Sequence, residues 1–108
     1  MKLKIAAEKK DKVRIQGVCA ELAFVMPIVD SVFRDAGYEA VITSVLDGKH
    51  MRSSAHYTGR AVDLRTHTVP KAEQGLVAAA LKLALGDDFD VILERNHIHL
   101  EYDVKQPL

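Results

Sequence analysis

At 108 residues, of which 48% are hydrophobic and 28% charged, the chain can bury one core and is too short to divide into two. A single domain over residues 1–108 is therefore predicted. The 15 basic and 15 acidic residues give a formal net charge of zero, so no overall basic field would attract nucleic acid or an anionic membrane. No apolar run approaches the roughly 20 residues that span a bilayer, and neither nucleic acid nor membrane is expected as a partner.

The N-terminal part of the chain predicts one long helix. Residues 1–13 alternate lysines with short apolar pieces and lack the hydrophobic stretch of a secretory signal, so a cytoplasmic location as synthesised is expected. From Ile15 to Ala36, apolar residues recur at three- and four-residue steps, which indicates an amphipathic helix. Pro27 should kink this helix or begin its second half, and Gly37 should end it. Cys19 lies on the apolar stripe and is predicted to be a buried, unreactive thiol.

The middle of the chain alternates between strand, loop and helix patterns. Glu39–Val45 is rich in β-branched residues and predicts a strand. Leu46–Thr58 is polar and without period, which indicates a long loop of the kind that is often functional. Gly59–Arg65 alternates like a strand, and a second helix is predicted from Pro70 to Leu85, closed by Gly86.

The last part of the chain predicts a β-hairpin. Its strands are Phe89–Leu93 and His97–Asp103, joined by a turn at residues 94–96. The order of helix, strand, loop, strand, helix and hairpin favours an α+β fold, with a mostly antiparallel sheet and helices packed against it.

Histidines and carboxylates are concentrated in two short segments of the sequence. Four of the five histidines lie there, together with Asp63, Glu94 and Glu101. Strand alternation puts His97, His99 and Glu101 on one face of the last strand, opposite its apolar residues. Asp63 likewise points away from the apolar residues of its own strand, so an aspartate and a histidine converge if the two strands pair.

A zinc ion suits this place, because imidazole nitrogen and carboxylate oxygen are both good zinc ligands. His56 would reach the ion from the loop before Gly59, beside Asp63 and His99. Three protein ligands leave a fourth position open for water, as in catalytic zinc sites. The alternatives are an ordinary solvent-facing histidine on the strand, and an aspartate that caps a turn or pairs with a neighbouring arginine, Arg60 or Arg65.

Residues 54–63, SAHYTGRAVD, resemble the Ser-x-His-x-x-Gly-x-Ala-x-Asp signature of the D-Ala-D-Ala carboxypeptidase and L-alanyl-D-glutamate endopeptidase family. The downstream His-Ile-His at 97–99 is similar to an element of the wider group, which includes lysostaphin-type peptidases and the hedgehog signalling domain. With the order of helices and strands, the resemblance covers residues 18–102. It implies a hedgehog/D-Ala-D-Ala peptidase-like fold.

The resemblance implies that His56, Asp63 and His99 bind zinc, and that the protein is a zinc-dependent peptidase using zinc-bound water. The expected substrate is a D-amino-acid-containing peptide of peptidoglycan or its precursor. His97 and Glu94 are the candidate catalytic groups for proton transfer. A second register stays open, in which His97 is the ligand and Glu94 the base.

Substrate recognition is predicted in the loop before the signature, where Arg52, His50 and Ser54 are the candidates. A carboxypeptidase or endolysin-type enzyme, released to the cell wall during phage lysis and acting as a monomer, is the first functional hypothesis. A catalytically silent zinc-binding interaction module of the same fold is the second. A small structural protein of a phage particle, without metal, is the third.

Overall fold

The computed structural model of the chain describes residues 4–5, 18–46 and 59–104. In this part of the chain a five-stranded sheet is accompanied by two helices. In chain order the elements are β1 (Lys4–Ile5), α1 (Ala20–Asp35), β2 (Val41–Leu46), β3 (Ala61–Arg65), α2 (Lys71–Leu85), β4 (Phe89–Leu93) and β5 (His97–Tyr102).

The strand order across the sheet is β1-β2-β3-β5-β4. The short β1 pairs in parallel with β2, whereas every other pairing is antiparallel. The α+β fold with a mostly antiparallel sheet is confirmed. Among the described residues, no helix combines the length and apolarity needed to cross a bilayer. The single-domain boundary at 1–108 stays a prediction.

Helix α1 begins later than the apolar pattern predicts. Cys19 is extended, with φ −64° and ψ 157°, because its N–H donates to the Gly59 carbonyl at 2.9 Å. The prediction that Cys19 lies within the helix is therefore wrong: it precedes the helix and is only half-buried. The helix runs through Pro27 and ends before Gly37, whose φ of 93° suits a residue without a side chain.

The other predicted elements lie within two residues of those observed. The strand predicted at residues 39–45 is β2, the one at 59–65 is β3, and the hairpin at 89–103 is β4 and β5. Pro70 caps α2 instead of forming its first turn, because its ψ of 141° is extended. The loop predicted at residues 46–58 falls almost wholly outside the described residues, apart from Leu46, which ends β2.

The two faces of the sheet have different chemistry, which positions the candidate site. Both helices pack their buried apolar residues against one face, formed in part by Val62, Leu64, Ile98 and Leu100. The alternation of β3 and β5 sends Asp63, His97, His99 and Glu101 to the other face. The polar row is thus carried by the same strands that build the core.

A bulge in β2 adjusts the edge of this polar row. Ile42 pairs with Leu64 and Ser44 pairs with Asp63, so Thr43 is the extra residue in the ladder. The hydroxyl of Thr43 donates to the backbone carbonyl of Asp63 at 3.4 Å. The bulge therefore brings Thr43 and Ser44 beside the strand that carries the aspartate.

Candidate metal centre

Asp63 and His99 face each other across the centre of the sheet. They are Cα partners in the antiparallel ladder between β3 and β5. Asp63 Oδ1 lies 3.3 Å from His99 Nδ1. The structure therefore brings together two of the three residues predicted to bind zinc, from chain positions 36 residues apart.

Glu101 holds the opposite side of the His99 ring. Its Oε1 lies 2.9 Å from His99 Nε2, and the two side chains are 1% and 2% exposed. When Nε2 carries the ring proton and donates it to Glu101, Nδ1 is left with a lone pair directed to Asp63. A carboxylate behind the ring is the usual arrangement of a metal-binding histidine, because it fixes the tautomer and orientation.

His97 reaches the same carboxylate from a more exposed position. Its Nε2 lies 3.5 Å from Asp63 Oδ1, and its side chain is 29% exposed. Its Nδ1 lies 2.7 Å from Oδ1 of Asn96. Both histidines of the His-x-His element thus approach Asp63, but His99 is the one enclosed and oriented by a second carboxylate.

A pocket of about 400 Å³ opens beside Asp63 and His97. It is lined by polar and charged side chains, namely Thr43, Ser44, Asp63, Arg65, His67, Asn96 and His97. The pocket can accept hydrogen-bonding groups from another molecule next to the paired Asp63 and His99.

Several predicted site residues lie outside the described residues. These are the zinc ligand His56 and the substrate-binding candidates Arg52, His50 and Ser54. Glu94 is described and lies at the hairpin turn, where its N–H donates to the His97 carbonyl at 2.8 Å. It is not among the described residues that line the pocket.

Other contributors were missed by sequence reasoning. Glu101 was placed only in the polar row, although its spacing of two residues from His99 on a strand could have indicated contact. Arg65 pairs with His97 in the ladder between β3 and β5 and was considered only as a partner of Asp63. Thr43 and Ser44 gave no signal, because a bulge is not visible in the β-branched pattern of β2.

The family model of the hedgehog amino-terminal signalling domain matches residues 6–101. The chain belongs to this family. The hedgehog signalling domain is one member of the wider group to which the His-Ile-His at residues 97–99 is similar, and the family match selects this member. A curated relative, Tiggy-winkle hedgehog protein of Danio rerio, is 36% identical over 59 residues. That stretch is 55% of this chain and 14% of the relative, so the chain spans a small part of the relative's length.

Membership of the hedgehog family corrects the functional expectations. The expected zinc-dependent peptidase acting on peptidoglycan peptide is wrong, and so are the carboxypeptidase, endolysin and phage assignments. The physical reason is that the signature specifies residues able to hold a metal, and the same donors can serve a signalling surface as well as a reaction. The peptidase family itself receives no support from either match.

The expected location is corrected on the same ground. Proteins that carry the hedgehog amino-terminal domain are secreted signalling proteins, so the cytoplasmic expectation is wrong. The lysine-containing sequence of residues 1–13 was an insufficient basis for it. The roles predicted for His97 and Glu94 in proton transfer depended on the peptidase reaction and stay untested predictions.

Proposed function

We propose that this chain is a zinc-binding interaction domain of the hedgehog type, which acts outside the cell by binding a signalling protein. The single observation that carries the metal part is the 3.3 Å approach of His99 Nδ1 to Asp63 Oδ1, with Glu101 behind the ring. Membership of the hedgehog family supports the signalling part. The domain is proposed to act as a monomer.

The described donors fit a zinc ion. Asp63 offers a carboxylate oxygen and His99 an imidazole nitrogen, and these are two of the ligand types that zinc takes in proteins. His56 is proposed as the third ligand, from the signature that also contains Asp63. Zinc would neutralise the charge of the carboxylate and link the segment before β3 to the sheet. The chain's own residues supply the orientation, through the hydrogen bond between Glu101 and His99.

A protein partner suits the surface around the site. The pocket beside Asp63 is lined by polar groups, and Asp63 and His97 are partly exposed, with side-chain exposures of 16% and 29%. A bound zinc ion would hold this surface rigid, and a rigid surface loses less conformational entropy when a partner binds. The proposed role of the metal is therefore to shape a binding surface.

Elemental analysis of the purified protein tests the metal site. We expect one zinc per chain in the wild type and in His67→Ala, because His67 is an exposed residue in the turn after β3. His99→Ala should lose the zinc, whereas His97→Ala should retain it. If His99→Ala retains zinc and His97→Ala loses it, the zinc ligand is His97 and the proposed assignment to His99 is wrong.

A signalling assay tests the second half of the proposal. The zinc-loaded domain, added to zebrafish cells that carry a hedgehog-responsive reporter, is expected to raise or competitively block the reporter signal. His99→Ala should have no effect at the same concentration, and Asp87→Asn, at an exposed residue that does not line the pocket, should behave as wild type. If the zinc-loaded protein neither raises nor blocks the reporter signal, the signalling role is contradicted. The proposed zinc site is not affected by that result, because zinc content is measured separately.

A further inference from the structure

Strand β4 forms one edge of the sheet. The strand order places it last, and among the described residues β5 is the one strand that pairs with it. Proteins usually protect such edges with charged side chains, proline or a bulge, because the unpaired backbone of an edge can bind another strand. β4 instead ends in two apolar residues, Ile92 and Leu93, which are 41% and 39% exposed. The C-terminal half of β4 therefore lacks the usual protection.

The hydrogen bonds around β4 show which of its backbone groups face outwards. Tyr102 of β5 is the Cα partner of Phe89, but its N–H donates to the Arg60 carbonyl at 2.8 Å, on the side of β3. Bonded and non-bonded pairs alternate along an antiparallel ladder. The N–H and C=O groups of Phe89, Val91 and Leu93 therefore point away from β5, towards the free side of the sheet.

The first of these three outward-facing residues is already covered. The Phe89 N–H donates to the Gly86 carbonyl at 3.3 Å, and the Phe89 carbonyl accepts a hydrogen bond from Lys82 Nζ at 2.7 Å. Outside the ladder, no backbone group of the described residues bonds to Val91 or Leu93. Each of these two residues therefore offers one N–H and one C=O to a further strand.

The charges at this edge favour a basic partner. Asp87 and Asp88 are exposed before the strand, and Glu94 is half-buried after it. Arg95 is the one basic residue between positions 87 and 95, so three acidic residues and one basic residue give a net charge of −2. Asp90 is left out of this sum because it has an interaction partner of its own. A second copy of the chain would bring the same acidic residues to the edge, and like charges on paired strands are destabilising.

We propose that the β4 edge binds an extended, basic segment of a partner protein, which adds a strand to the sheet beside Val91 and Leu93. β-Branched residues of the segment pack beside Ile92 and Leu93, and lysine or arginine at its ends faces the acidic residues at either end of β4. Main-chain hydrogen bonds give strand addition its affinity, and side chains give it specificity. Among the described residues, none from β4 lines the pocket beside Asp63, so this surface is separate from the proposed zinc site.

Fluorescence titration of the zinc-loaded full chain with a labelled peptide tests this surface. The probe is Lys-Val-Thr-Val-Lys with blocked ends, and saturable binding is expected. Glu-Val-Thr-Val-Glu should bind about tenfold more weakly or worse, because like charges then meet at the edge. Leu93→Lys should weaken binding of the probe about tenfold or more, since lysine on an edge opposes pairing. Phe24→Lys adds the same charge at an exposed position of α1 and should bind within about twofold of the wild type.

Methylation of the peptide backbone separates strand addition from charge attraction. In an antiparallel added strand the N–H groups of the two valines face β4, and that of the threonine faces solvent. N-methylation of both valines should therefore weaken binding about tenfold or more, whereas N-methylation of the threonine should leave it unchanged. The opposite preference would support a parallel added strand. Equal binding by the two methylated peptides, or no saturable binding of the probe, overturns the proposal.

Hydrogen exchange of single amides shows whether the edge is free before the peptide arrives. The amides of Val91 and Leu93 should exchange rapidly in the free protein and become protected by the peptide, whereas that of Ile92, which faces β5, is protected in both states. Protection of Val91 and Leu93 in the free protein would mean that another part of the chain or a second copy already covers the edge. Either occupant overturns the proposal, and sedimentation tells them apart. The measurement uses the wild type, so it decides the question even if Leu93→Lys fails to fold. Elemental analysis for zinc on the same samples separates failure of this edge from failure of the zinc site.

Discussion

The His99 ring is held between two carboxylates from two strands. Asp63 lies 3.3 Å from one ring nitrogen and Glu101 lies 2.9 Å from the other. The ring is 2% exposed, so water cannot substitute for either partner. The hydrogen bond to Glu101 thus orients the His99 ring so that Nδ1 faces the Asp63 carboxylate.

Removal of the charge on Glu101 should weaken zinc binding without abolishing it. Glu101→Gln keeps the shape of the side chain but no longer favours the ring tautomer that leaves Nδ1 free. We expect zinc affinity to fall about 10- to 100-fold, the range observed when the partner of a ligand histidine is changed. Competition with a chromogenic chelator measures the change, and Glu94→Gln at the hairpin turn is the matched control. Equal affinities of Glu101→Gln and the wild type would mean that Glu101 does not orient the ligand.

At the residue scale, strand alternation predicted that Asp63 and a histidine of the last strand converge if the two strands pair. Alternation specifies a face, and the structure confirms that both residues share it. It does not specify which residue of one strand lies opposite which of the next, so the approach of His97 to Asp63 at 3.5 Å could not be derived. The contact between Glu101 and His99 depends on side-chain rotamers, which a pattern of residue types does not contain.

Helix α1 contributes to the hydrophobic core through one apolar face. Its buried apolar residues, Leu22, Met26, Val29 and Phe33, follow a three- to four-residue period and pack on the sheet. On the same helix Phe24 is 82% exposed, whereas Phe33 is fully buried. The two phenylalanines therefore provide a direct comparison of a core and a surface position.

Truncation of these two side chains should have very different effects on stability. Phe33→Ala leaves a cavity in the core and is expected to lower the free energy of unfolding by about 3–5 kcal/mol. Phe24→Ala removes a solvated ring and should change it by less than about 0.5 kcal/mol. Urea denaturation followed by circular dichroism measures both. A loss for Phe24→Ala comparable to that for Phe33→Ala would indicate that Phe24 is covered in solution.

Two glycines should respond in opposite directions to the same substitution. Gly75 lies within α2 and a Cβ there would contact nothing within 4 Å, so Gly75→Ala should stabilise the protein by about 0.5–1 kcal/mol. Gly37 has a φ of 93°, so Gly37→Ala should destabilise it by about 1–2 kcal/mol. Thermal denaturation of the two variants tests this, and a stabilising Gly37→Ala would contradict the backbone conformation after α1.

At the element scale, the sequence predicted each helix and the four longer strands, because their apolar periods are clear. The bounds differed where a tertiary contact decides them. Helix α1 starts at Ala20 because the residue before it is hydrogen-bonded to Gly59, far along the chain. The bulge at Thr43 and the pairing of β1 with β2 are likewise non-local and leave no mark on either strand's composition.

For the whole molecule, zinc is expected to act as a folding cofactor. An ion bound by the folded state alone stabilises it by about 4 kcal/mol when free zinc exceeds the dissociation constant about 1,000-fold. A chelator should therefore lower the melting temperature of the wild type and have no effect on His99→Ala. Differential scanning calorimetry with and without chelator measures this. An unchanged melting temperature after verified removal of zinc would contradict a stabilising role.

The function of the whole molecule was the least predictable quantity. A ten-residue signature indicated a metal site, but the chemistry done beside the metal depends on the surface around it and on the partner that meets that surface. The family match replaced a hydrolase with a signalling domain without altering the fold or the predicted ligands. Residue patterns predict which side chains share a face of a helix or strand. The function of those side chains had to be inferred from related proteins.

Strand β5 alternates residues of the core, Ile98 and Leu100, with residues of the polar row, His99 and Glu101. A deletion or insertion of one residue after His97 would exchange the two sets, sending imidazole and carboxylate towards the helices and aliphatic groups towards the pocket. The polar row and the core are therefore specified together, since a shift of β5 by one residue would disrupt both.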